Sequence, residues 1–70
     1  MEEYIKNTVQ KARTEAGLTQ EDLAQKVEVS RQTVIAIERG NYTPSVLLAL
    51  KIARVFKMQV EDLFMIRYEK

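Results

Sequence analysis

The chain has 70 residues, 46% of them hydrophobic and 30% charged, with 11 basic against 10 acidic side chains for a formal net charge of +1. That length suits one domain, 1–70, with a single core, and so small a net charge leaves any electropositive surface to be made by charge distribution or by a dimer doubling it. With no cysteine and no histidine, disulfides, Cys/His zinc sites, thiol nucleophiles and histidine bases are excluded, so no metal or other cofactor is expected and the chain should not be an enzyme.

In chain order, Met1 to Lys6 sets Tyr4 and Ile5 among charges, which suits a frayed end or a short strand. Met1-Glu2-Glu3 lacks the basic start of a signal peptide, and no apolar run approaches the ~20 residues of a membrane span; a cytoplasmic protein without membrane contact is expected. Asn7 can cap a first helix that runs to about Ala16 and is ended by Gly17. Val9, Ala12, Arg13 and Ala16 fall at i, i+3, i+4 and i+7 of it, so Arg13 sits within the apolar stripe and needs an acceptor.

Thr19 can cap a second helix, Gln20 to Val27, with Leu23, Ala24 and Val27 on one face. After a tight turn Ser30 caps a third, Arg31 to Arg39, closed by Gly40. At ~100° per residue Val34, Ile37 and Glu38 share its inward face, while Gln32, Ala36, Ile35 and Arg39 point away, with Arg31 and Thr33 beside Gln32. Glu38 is therefore the acceptor expected for Arg13, in an ion pair beneath the surface. Arg31 and Gln32 can each make two parallel hydrogen bonds to a base edge, and Thr33 and Ala36 are small enough to touch a thymine methyl. Two helices across so short a turn form a helix-turn-helix, about residues 19–40, whose second helix enters the major groove. Gln20 at the start of the second helix, Ser30, and Arg39, Asn41 and Tyr42 around the following loop are candidates for the DNA backbone.

Thr43-Pro44 is expected to start the fourth helix, with Pro44 in its first turn. Val46, Ala49, Ile52, Ala53 and Phe56 make its predicted buried face, Leu48 and Leu50 flank it, and Leu47 falls on the far side with Lys51 and Arg54. A fifth helix, about Val60 to Phe64, has only Gln59 in the capping position. Beyond it Phe64, Ile66 and Tyr68 alternate with Met65 and Arg67, as a short strand or an extended tail would. Phe64, Met65, Ile66 and Tyr68 are the expected dimer interface, with Tyr4 and Ile5 as candidates to join it; folding back onto the chain's own core is the alternative.

The runs Leu18-Thr19-Gln20-Glu21-Asp22-Leu23-Ala24, Val29-Ser30-Arg31-Gln32-Thr33, Ile37-Glu38-Arg39-Gly40 and Thr43-Pro44-Ser45, continued by Leu48-Ala49-Leu50-Lys51-Ile52-Ala53 and Glu61-Asp62-Leu63-Phe64, resemble the phage-repressor and Cro type of helix-turn-helix regulator, in the Xre family. The resemblance implies an all-α, five-helix lambda-repressor-like domain, with any short extended N- and C-terminal segments lying at a dimer interface. It also supports the Arg13–Glu38 pairing. Two positions depart from the family pattern: Glu28 and Lys57 stand where it has glycine, at a cost of ~1 kcal/mol each if the left-handed conformation is kept. The function implied is sequence-specific binding of double-stranded DNA by a transcriptional regulator, a repressor acting as a homodimer on an inverted repeat. The alternatives are an antitoxin-type regulator that also binds a partner protein, for which Leu47 and the apolar tail would serve, and an interaction module without DNA binding.

Overall fold

The computed structural model describes residues 2–69, and its elements are β1 (Glu2–Asn7), α1 (Val9–Glu15), α2 (Gln20–Val27), α3 (Arg31–Glu38), α4 (Val46–Phe56), α5 (Val60–Leu63) and β2 (Phe64–Glu69). Three of the helices begin on a side chain that satisfies an otherwise orphaned backbone N–H. Thr19 accepts from the Asp22 N–H at 3.0 Å while Asp22 accepts from the Thr19 N–H at 2.9 Å, a reciprocal capping box. Ser30 accepts from Thr33 at 3.2 Å and Ser45 from Leu48 at 3.1 Å.

Two starts differ from expectation. The residue at the head of α1 is Thr8, whose side chain makes no cap, although Asn7 Oδ1 still accepts from the Val9 N–H at 3.1 Å. The fourth helix begins after Ser45, so Pro44 precedes the cap instead of occupying the first turn. A free hydroxyl at 45 outcompetes the weaker helix-start signal of the proline.

The four longer helices end alike. The backbone N–H groups of Leu18, Val29, Asn41 and Met58 reach back to the carbonyls of Arg13, Ala24, Ala36 and Ala53 at 3.0, 3.0, 2.9 and 3.0 Å, which requires a left-handed residue just before each donor. Gly17 and Gly40 fill two of these positions at φ +75° and +78°; Glu28 and Lys57 fill the others at +62° and +55°. The turn geometry is kept, and the strain falls on two residues that carry a Cβ.

Ten apolar side chains, among them Val9, Leu23, Val34, Ile37, Ile52 and Leu63, form one buried cluster. On α4 the buried residues are Leu48, Ile52 and Ala53; Ile52 and Ala53 lie on the predicted face, whereas Val46 leaves it at 77% exposed and Leu48, expected only to flank it, is buried. Val46 lies in the first turn beyond the cap, past the edge of the core. Among the described residues no helix is long and apolar enough to cross a membrane.

The all-α expectation fails at the termini. β1 and β2 pair antiparallel within the same chain, from Glu2 opposite Glu69 to Asn7 opposite Phe64. The Thr8 N–H extends the ladder to the Leu63 carbonyl at 2.9 Å, and the Thr8 hydroxyl donates to the Asp62 carbonyl at 3.1 Å. A two-stranded hairpin is marginal alone; here α1 and α5 hold its inner ends together.

Candidate nucleic-acid interface

α3 is fixed in place by its inward side. Arg13 Nε donates to Glu38 Oε2 at 2.7 Å and Nη2 to Oε1 at 3.2 Å, with side-chain exposures of 9% and 3%. The remaining guanidinium edge is used as well, Nη1 donating to the Leu18 carbonyl at 2.9 Å. Glu38 raises the Arg13 pKa, by its hydrogen bond first and its charge second, against the opposing effect of burial. The fork joins α1, the loop before α2 and α3, and leaves no buried side-chain polar atom unpartnered among the described residues.

A second tie escaped the sequence reading. Asn7 Nδ2 donates to the Ile37 carbonyl at 2.8 Å, anchoring the last turn of α3 to the junction of β1 and α1. An asparagine before a helix signals only a local cap, so nothing in the sequence announced a contact 30 residues away.

With α3 so held, its other side faces outward. Arg31 and Gln32 are exposed, and Thr33 and Ala36 half-buried. Arg31 borders a depression with Leu18, Thr19, Gln20 and Glu21, whereas Thr33 borders another with Val29, Tyr42 and Leu47. Gln32 and Ala36 therefore occupy the crest between two flanks, as ~100° per residue requires. Thr33 has less freedom than an exposed threonine, because its hydroxyl lies 3.0 Å from that of Ser30.

The backbone candidates surround this crest. Arg39, Asn41 and Tyr42 are exposed, and Arg39 shares a depression with Lys6 of β1, a cation that no motif or spacing associates with the site. Gln20 is more constrained than expected: its Nε2 donates to Glu38 Oε1 at 3.1 Å, leaving one amide hydrogen and the carbonyl oxygen to reach outward.

A family model described as helix-turn-helix matches residues 9–63, from the first turn of α1 to the end of α5. The chain belongs to the Xre-like helix-turn-helix family. It is thus placed among DNA-binding transcription regulators. The HTH-type transcriptional regulator YgzD of Bacillus subtilis is 51% identical over 65 residues, covering 93% of this helix-turn-helix chain and 98% of its own. The regulator MJ0272 of Methanocaldococcus jannaschii is 55% identical over 60 residues, 86% of this chain and 91% of the relative. Among solved structures, the restriction-modification controller protein C.AhdI from Aeromonas hydrophila superposes with a TM-score of 0.74 at 34% identity, over 80% of this chain and 85% of that one.

Proposed function

We propose that the protein is a repressor that binds an inverted-repeat operator as a homodimer, laying α3 in the major groove of each half-site. Arg31, Gln32, Thr33 and Ala36 read base edges; Gln20, Ser30, Arg39, Asn41 and Tyr42 set the register on the phosphates. The observation that carries this reading is the exposure of Arg31 and Gln32 at the entering end of a helix locked from behind by the Arg13–Glu38 fork. Two recognition helices related by a two-fold axis would meet half-sites about 34 Å apart, one turn of B-DNA. Bound across a promoter, such a dimer represses by occlusion, which asks nothing of the chain beyond binding.

Selection of the purified protein against a random double-stranded pool tests it, with an Arg31→Ala/Gln32→Ala variant in parallel. Enrichment of an inverted repeat by the wild type alone is the expected result. No enrichment by either folded protein would remove α3 as a reader. Arg39→Ala should weaken binding to all sequences alike and reduce the salt dependence by about one unit.

A further inference from the structure

The terminal hairpin lies outside residues 9–63, the stretch shared with the helix-turn-helix family, and its two faces differ in charge. Successive strand residues alternate sides, and the β1–β2 register sets Tyr4 opposite Arg67 and Lys6 opposite Met65. One face therefore carries Tyr4, Lys6, Met65 and Arg67, with Glu2 opposite Glu69 at its outer end. Lys6 occupies the inner end, where it lines a depression along β1 together with Arg39, Gly40 and Thr43. Two carboxylates border the same depression. Glu38 is already taken up by Arg13 and Gln20, and Glu3 belongs to the hairpin's other face, with Ile5. Lys6 and Arg39 are exposed, and neither takes part in the ion pairs among the described residues, Arg13–Glu38 and Lys51–Glu28. Arg67 is likewise without a carboxylate, its guanidinium donating to the Ile66 carbonyl and the Met65 sulfur.

We infer that Lys6 binds the DNA backbone beside Arg39, so that the hairpin lengthens the nucleic-acid contact beyond the helix-turn-helix. The inference rests on the DNA-binding reading above and adds a residue to it. Phosphate contacts fix the register of a protein on the duplex, and they can do so only from a point held relative to the reading helix. The hold is one residue along the strand. Asn7 Oδ1 accepts from the Val9 N–H at 3.1 Å, and Nδ2 of the same side chain donates to the Ile37 carbonyl at 2.8 Å. Lys6 directly precedes one end of that second bond, and Arg39 follows the other end by two residues. Charge then selects the occupant: two cations facing one depression without a carboxylate partner repel each other, and a strand of phosphates relieves the repulsion. No ion pair has to break first. With a net charge of only +1 over the whole chain, local concentrations of this kind are what can supply an electropositive surface.

The test is binding to a fluorescent random-sequence duplex, followed by anisotropy over a series of salt concentrations, for the wild type, Lys6→Ala, Lys6→Arg and Lys11→Ala. Lys11 is also exposed, but it lies on α1 beside Val55, Phe56 and Lys57 at the end of α4, so its removal controls for lost net charge. Lys6→Ala is expected to flatten the plot of log Kobs against log salt by about 0.9 per bound chain. Lys6→Arg should restore the wild-type slope, and Lys11→Ala should leave it unchanged. A folded Lys6→Ala protein with the wild-type slope overturns the contact; a flattened Arg39→Ala slope in the same series leaves the DNA-binding reading standing. Equal flattening by Lys11→Ala and Lys6→Ala means that net charge alone acts, and overturns the contact as well. A wild type that binds no duplex at any salt overturns both. Should Lys6→Ala not fold, Lys6→Gln keeps most of the aliphatic stem and carries the same expectation.

Discussion

On the inward face of α3 the Glu38 carboxylate accepts three hydrogen bonds, two from Arg13 and one from Gln20; on the outward face Arg31 and Gln32, one or two turns earlier, extend into solvent. The same helix thus carries polar groups under opposite regimes. Inward, each polar atom was stripped of water and had to find its partner within the chain. Outward, the polar atoms keep their water until something else replaces it. Substitution on the first face should change stability, and on the second, recognition.

The largest effect expected is at Glu38. Glu38→Ala strands a buried guanidinium and should lower unfolding free energy by about 3 to 5 kcal/mol, read from chemical denaturation. Replacing both partners sharpens the point: Arg13→Met with Glu38→Leu should recover most of that loss, because the penalty comes from the unpaired charge more than from the missing bond. A Glu38→Ala melt indistinguishable from wild type would break the comparison on its inward side. Next comes Arg31→Ala, expected to cost about 1 to 3 kcal/mol of specific binding and to relax preference at one position per half-site, with the melt unchanged. Equal losses on specific and random DNA would show that Arg31 holds phosphate and does not read bases.

How much of this was legible follows from how local each signal is. The caps at Thr19 and Ser30 and the inward phase of Glu38 depend on residues a turn or so away, and sequence spacing reveals them; the positive φ at Glu28 and Lys57 was expected only from the family pattern, which has glycine at both positions. The Arg13–Glu38 pair spans 25 positions yet was readable, because a charge in an apolar stripe demands a partner and the facing helix offered one. The hairpin was not readable: Phe64 to Arg67 alternates over too few residues to separate strand from tail, and its partner lies at the other end of the chain. Only the first turn of α4 was misassigned, for a related reason. Val46, Leu48 and Leu50 are equally apolar, and only the packed neighbours decide that Leu48 goes in.

Away from both faces lie the strained ends of α2 and α4, which test whether stability can rise without touching recognition. Lys57→Gly should stabilise by about 1 kcal/mol, since glycine adopts the left-handed region without a Cβ clash. Glu28→Gly should gain less, because it also removes the 3.3 Å pair with Lys51, a mostly exposed contact worth about 0 to 1 kcal/mol. Affinity for the operator should be unchanged in the first. A loss confined to Glu28→Gly would mean that the rigidity of the turn before α3 contributes to the outward face.

The smallest effect lies at Asp22, and it separates the two faces by pH. Hydrogen bonds from the Thr19 backbone, then from its hydroxyl, hold the Asp22 carboxyl below the usual carboxylate range. Because the folded pKa is the depressed one, the capping contribution is complete above the unfolded value of about 4 and is lost as pH falls through the folded value beneath it. Asp22→Asn keeps an acceptor but cannot titrate. The stability gap between wild type and Asp22→Asn should therefore be constant near neutrality and narrow on acidification. The Arg13 guanidinium, raised further above an already high pKa, remains charged across that range. A gap that stays flat to the acid limit would mean that Asp22 caps α2 by geometry alone, with no contribution from its charge.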